Sequence, residues 1–170
     1  MSEQRPWTVG EDSQRHLLPD FDAHCEALDT LLAQGRRTLR IFSPTLDIDL
    51  LNRDPVTSAL AALIRVSPMT QIRILVMDSS NAVRTGHRVI SMAQRFPSYM
   101  SIRKAGAIEP RCPAWLVLDE QALLWRPDYN RYADGHVCFD SRGEAGKLCR
   151  DFDDRWEQSS TDPDLRRLHI

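Results

Sequence analysis

Apolar positions along this chain alternate between two rhythms. Phe21, Cys25, Leu28 and Leu32 recur three or four residues apart, which predicts a helix that Asp20 caps and Gly35 closes. Thr38–Ser43 reads as a strand, followed by an irregular connection, Pro44–Leu51, that carries Asp47 and Asp49. Asp54-Pro55 has the form of an N-cap with a first-turn proline, and it opens a helix whose inner face is Val56, Leu60, Leu63 and Ile64, ending before Pro68. Gln71–Met77 is a strand too apolar for two exposed faces. A third helix with Val83, Gly86, Ile90, Ala93 and Phe96 on one side runs to Pro97, and Tyr99–Arg103 returns as a strand.

The stretch from Arg111 to Asp128 reads as a hairpin, with strands Trp115–Asp119 and Ala122–Trp125 joined at Asp119-Glu120-Gln121. Its near-continuous apolar character requires cover on both faces, which places it inside a sheet. His136–Phe139 makes a last strand. Ser141-x-x-Glu144 has the form of a capping box before a helix with Ala145, Leu148, Cys149, Phe152 and Trp156 on one face. Alternating helices and strands followed by a strand meander predict an α/β sandwich, a mixed β-sheet with helices on both faces. The domain occupies residues 20–160. Residues 1–19 lack periodicity and are expected to form a flexible arm in which Trp7 docks; residues 161–170 form a tail that packs on the sheet or on a partner.

Composition narrows the function. Twenty-two basic and 24 acidic residues leave a net charge of −2, so nucleic acid is not an expected partner. No apolar run approaches the roughly 20 residues of a membrane span and no secretory leader is visible, which predicts a cytoplasmic protein with no membrane partner. Cys25, Cys112, Cys138 and Cys149 form no Cys-x-x-Cys pair and sit among apolar neighbours, as buried reduced thiols do. A zinc site from Cys112, His136, Cys138 and Cys149 can be drawn, but burial is the better account, and no metal or other cofactor is expected.

The hairpin carries the chemistry to be weighed. Its first arm reads Cys112-x-Ala114 and then, after four residues, Asp119; Arg126-Pro127 follows the second arm. This layout, within the order helix, strand, helix, strand, helix, strand, hairpin, strand, helix and with Phe152-x-x-x-Trp156 in the last helix, resembles one half of the phospholipase D-like superfamily over residues 20–160, in a bacterial branch. That family's motif is His-x-Lys, four residues and Asp, with Gly-Ser downstream. The alignment puts Cys112 at the nucleophilic histidine, Ala114 at the phosphate-holding lysine and Arg126-Pro127 at Gly-Ser, and it keeps the acid as Asp119. The resemblance therefore implies a catalytically inactive member, since loss of a nucleophile alone can cost on the order of 10⁶ in turnover. The activity left open is a phosphodiesterase or nuclease with a non-standard site, using His87 or His136 as base. In this family two halves face each other across the motif strands, so the resemblance also implies a homodimer through the surface around Cys112, Trp115, Trp125 and Arg126. Capping of that face by the arm would instead leave a monomer.

Other residues form candidate binding groups. Arg126, Tyr129, Asn130, Arg131 and Tyr132 follow the hairpin, and two guanidinium forks with tyrosine hydroxyls and an amide suit a phosphate or carboxylate. The plainer account is an exposed loop whose arginines pair with Asp128 and Asp134. Ser43, Thr45, Asp78, Ser79 and Ser80 lie at the carboxyl ends of strands, where open α/β sheets collect ligands, although serine and aspartate there also serve as caps. His87 borders an apolar helix face beside Gly86, flanked by Arg84 and Arg88. Together these residues point to a module that binds a phosphate-bearing ligand or a protein partner.

Overall fold

The computed structural model describes residues 7–107 and 109–166. Seven strands form one sheet: β1 (His16–Leu18), β2 (Thr38–Phe42), β3 (Gln71–Val76), β4 (Met100–Lys104), β5 (Ala114–Leu118), β6 (Ala122–Arg126) and β7 (Gly135–Cys138). They stand in the order β1-β7-β6-β5-β2-β3-β4. β2, β3 and β4 are parallel because helices connect them, whereas β5, β6 and β7 follow each other through turns and are antiparallel. The hairpin lies mid-sheet, β5 pairing with both β2 and β6, and every residue of β5 is buried.

The helices are α1 (Phe21–Leu32), α2 (Ile48–Leu51), α3 (Asp54–Val66), α4 (Ser80–Thr85), α5 (Arg88–Arg95) and α6 (Arg142–Gln158). The larger core joins α1, α3 and α5 to one sheet face through residues such as Leu28, Leu31, Leu60, Leu63, Ile74 and Leu118. On the other face α6 lays Ala145, Cys149, Phe152 and Trp156 over Phe42, Leu75, Trp115 and Val117. This is the α/β sandwich with helices on both faces that the pattern predicts.

Several local expectations are corrected. Within the expected arm, residues 7–19 are built into the fold: β1 pairs with β7, Leu18 is 1% exposed, and the Gly10 N–H donates to the Phe139 carbonyl at 2.9 Å. Three residues are too few for a period to show. Trp7 docks as expected, stacked on Phe139 at 5.5 Å, and residues 1–6 lie outside the described residues. The single helix expected from Val83 to Phe96 is two, because Gly86 takes the left-handed conformation (φ 71°) that ends α4, and His87 then caps α5. The Pro44–Leu51 connection contains α2, capped by Asp47. Gly35 has no left-handed role; it lets Leu118 and Leu63 approach, a Cβ there meeting both at 3.1 Å. At α3 the cap position is Arg53, one residue before Asp54, and the Ser141 hydroxyl makes no capping bond to the backbone of α6. Of the C-terminal tail, residues 161–166 lie on the fold: Pro163–Leu165 forms a 3₁₀ turn, and Asp162 is buried and accepts a 2.5 Å bond from the Ser79 hydroxyl. Residues 167–170 lie outside the described residues.

Candidate functional site

Ala114 begins β5 and stands directly opposite Arg126, which ends β6. The pairing matters because Ala114 leaves room where a long side chain would project, and the neighbouring strand brings a guanidinium to that place. Arg126 is 2% exposed. Its Nη2 donates to Asp47 Oδ2 at 2.6 Å and to the Tyr129 carbonyl at 3.0 Å. The Tyr132 hydroxyl donates to both Asp47 oxygens, at 2.8 and 2.7 Å, and the Arg126 guanidinium lies 4.6 Å from the Tyr132 ring centre. Asp47 reaches this point because it caps α2, where Oδ1 accepts from the Leu50 N–H, while its own N–H donates to Ser43 Oγ. Burial, followed by the bond to Asp47, raises the Tyr132 phenol, so it stays a protonated donor.

The ion pair is closed on itself. A cavity of about 20 Å³ lies between Ile41, Ser43, Ala114, Trp115 and Arg126, room for about one water molecule. That space is far smaller than a phosphodiester. Among the described residues Arg126 Nε is buried without a hydrogen-bond partner, and one water in that space is what such a group calls for.

The other hairpin positions are structural in their contacts. Cys112 is buried within the α6 core, and burial pushes its thiol pKa up, with Arg155 opposing, so it carries no thiolate character. Asp119 holds the hairpin to the start of β2: its carboxylate accepts from the N–H groups of Arg36, Arg37 and Thr38 at 2.9, 2.8 and 2.9 Å. Asp119 and Glu120 both have positive φ (52° and 58°), the geometry of a tight two-residue turn, and those three bonds offset its cost for non-glycine residues.

Of the remaining candidates, Tyr129 meets Arg126 only through its backbone carbonyl and His87 faces only the Asp47 carbonyl. Tyr129 packs half-buried against the α6 core, while Asn130 and Arg131 are exposed, the Asn130 N–H bonding Asp128. His87 is 1% exposed; its Nδ1 accepts from the Val89 N–H at 3.1 Å and its Nε2 faces the Asp47 carbonyl at 3.3 Å. Burial lowers its pKa, and that of His136, despite the favourable carbonyl beside His87. Asp78 accepts from the Ser80 hydroxyl and N–H, an exposed turn whose bonds hold the carboxyl below its usual range. Arg84 donates to Asn81, and Arg88 donates to Asn52 and Asp54. Among the described residues no group of three or more His, Cys, Asp or Glu side chains is placed to hold a metal ion, so the drawn zinc set does not assemble. No described helix is long and apolar enough to cross a membrane.

The sequence reading grouped Tyr132 with Arg126 but gave Asp47 no site role and missed His24. His24 is fully buried on α1, its Nδ1 bonded to the Asp20 carbonyl at 2.7 Å and its ring edge-on to Tyr132. The one available signal was Gly135, which holds no positive φ and instead leaves space for that imidazole.

The mixed sheet, its strand order and the hairpin at its centre are those of a phospholipase D-like fold. Comparison with solved structures agrees. NucT from Helicobacter pylori superposes with a TM-score of 0.64 at 10% identity, over 88% of this chain and 99% of that one. Nuc from Salmonella typhimurium, a phospholipase D family member, gives 0.57 at 12% identity, over 78% and 86%. TrmBL2, an archaeal chromatin protein with a mode of DNA binding of its own, gives 0.64 at 12% identity over 89% of this chain, which spans 55% of that protein. No curated protein sequence matches significantly. The chain belongs to the family described as domain of unknown function DUF7931, which matches residues 20–168.

Proposed function

We propose that this chain is a phospholipase D-like domain without phosphodiester chemistry, of a bacterial branch with a degenerate motif, which serves in the cytoplasm as a binding or assembly module for a phosphate-bearing ligand or a protein partner. The observation that carries this reading is the closed Arg126–Asp47 pair beside Ala114. The cation at the motif is neutralised from within the chain, the nucleophile position is a buried thiol, and the cavity admits only a water. The histidines that an alternative phosphodiesterase would need as bases, His87 and His136, are both buried. TrmBL2 binds DNA, but here a net charge of −2 and a neutralised Arg126 favour a smaller anion or a protein.

A homodimer is part of the reading, with a changed contact. Cys112, Trp115 and Arg126 are covered by the chain itself, so a twofold contact would use the half-exposed rim of Trp125 and Tyr129. The full chain is expected to show no turnover above background with an aryl phosphodiester, DNA, RNA or phosphatidylcholine, and to sediment as a dimer at micromolar concentration. Turnover on any of these substrates overturns the inactive reading, and a monomer overturns the dimer.

A further inference from the structure

The face of the sheet that carries α6 is unevenly covered. α6 lies over β2, β5 and β6, and its C-terminal Trp156 reaches across to the side chains of β3 and β4. Side chains alternate along a strand, so with Ile72, Ile74, Met100 and Ile102 turned to the larger core, Arg73, Ser101 and Arg103 share the α6 face. The register sets Arg73 opposite Ser101 and Arg103 opposite Leu75, which groups the three on adjacent strands.

Both arginines are held in place. The Arg103 guanidinium lies 4.5 Å and that of Arg73 5.4 Å from the ring centre of Trp156, which itself stacks on Phe152 at 5.7 Å. Arg103 Nη1 also donates to the Trp156 carbonyl at 3.2 Å. Charge sets them apart from their neighbour. Arg40, opposite Arg73 on β2, is neutralised by a forked pair to Asp153 at 3.0 and 3.1 Å and by Glu120 at 3.3 Å. Among the described residues neither Arg73 nor Arg103 makes an ion pair. Two like charges fixed against one ring repel, and an anion between them relieves the repulsion.

The geometry points to a site for a compact phosphate dianion, of the phosphate monoester class, formed by Arg73, Arg103 and the exposed Ser101 hydroxyl. Guanidinium forks bind phosphate oxygens in pairs, and the serine adds a third donor. A long polyanion fits less well, because Asp153 and Glu120 gather around Arg40, directly opposite Arg73 on β2. This site deepens the binding-module reading by locating its ligand away from the closed Arg126 pair, and it is tested separately from the absence of turnover.

Phenyl phosphate titrated into the full chain at low salt, followed by calorimetry or amide shifts, is expected to bind saturably. Arg73→Gln and Arg103→Gln should each weaken binding at least about tenfold, with Arg65→Gln, exposed on α3 across the sheet, unchanged. Because both side chains cover Trp156, thermal melting accompanies each variant, and Arg103→Lys, which keeps charge and cover but loses the fork, should still weaken binding severalfold. Absence of saturable binding to the wild type, or equal binding by wild type and both glutamine variants, overturns the site. Tighter binding of a short oligothymidylate than of phenyl phosphate, lost on the same substitutions, overturns the compact-dianion assignment in favour of nucleic acid. Phosphodiester turnover would sink the inactive reading and leave this site standing.

Discussion

Asp47→Asn removes one charge and almost no volume from the centre of the site. Asparagine can still cap α2, so the substitution isolates the ion pair from the cap. It leaves the Arg126 guanidinium, whose side chain is 3% exposed, facing an amide with one oxygen where two carboxylate oxygens served Arg126 and Tyr132. Breaking a buried pair from one side costs about 3–5 kcal/mol, because the remaining charge is desolvated without compensation. Asp47 keeps 11% side-chain exposure, so the lower end, about 3 kcal/mol, applies. For a domain of this size that corresponds to a fall in Tm of about 6–12 °C. Urea unfolding of the wild type, Asp47→Asn, Arg126→Met and the double variant closes a cycle. The double variant should be more stable than Asp47→Asn alone, with a coupling of about 1–3 kcal/mol, since it removes the stranded cation. An Asp47→Asn protein within about 0.5 kcal/mol of the wild type, or additive single effects, would refute the account of a closed, mutually dependent pair.

Gly135→Ala should destabilise by about 2–3 kcal/mol in urea unfolding: its Cβ would press into the His24 imidazole, which the Asp20 carbonyl pins, and would lie 3.1 Å from the Trp125 carbonyl. Asp119→Ala should cost about 2 kcal/mol by loosening the three N–H bonds that anchor the hairpin to β2, a figure discounted because the carboxylate is half-buried; an unchanged midpoint would deny it that role. Stability should fall as pH is lowered through about 6.5. Burial lowers the pKa of His24, His87 and His136 from that ordinary value, so the unfolded chain takes up protons first; the contribution is complete above 6.5 and is lost toward the lowered folded values, with a slope of at most about 1.4 kcal/mol per pH unit for each histidine. Asp78, held below 3.8, acts only in stronger acid, so a Tm equal at pH 7.5 and 5.5 would contradict the burial of these imidazoles.

Periodicity and run length determined the architecture. The apolar runs Gln71–Met77 and Trp115–Leu118 demanded cover on both faces, and a hairpin that demands such cover belongs mid-sheet, where β5 is found. Local chemistry also spoke for itself at Asp20, whose carboxylate accepts from the Ala23 N–H at 2.9 Å. Cys112 and Ala114 could be set against a His-x-Lys pattern because that needs only an alignment along one strand. What no local pattern could supply was partnership across distance. Asp47 and Arg126 are 79 residues apart, and Tyr132 sits on a third segment, so their joint burial follows from the order of β6, β5 and β2 in the sheet rather than from any spacing. The same holds for β1, whose three residues are too short for a rhythm and are ordered by the edge of β7, and for Arg73 and Arg103, which read as two scattered surface cations until parallel pairing set them side by side over Trp156. Desolvation is the physical reason: whether a charge is free or neutralised depends on what the folded chain packs around it, and that is decided only once the sheet has closed.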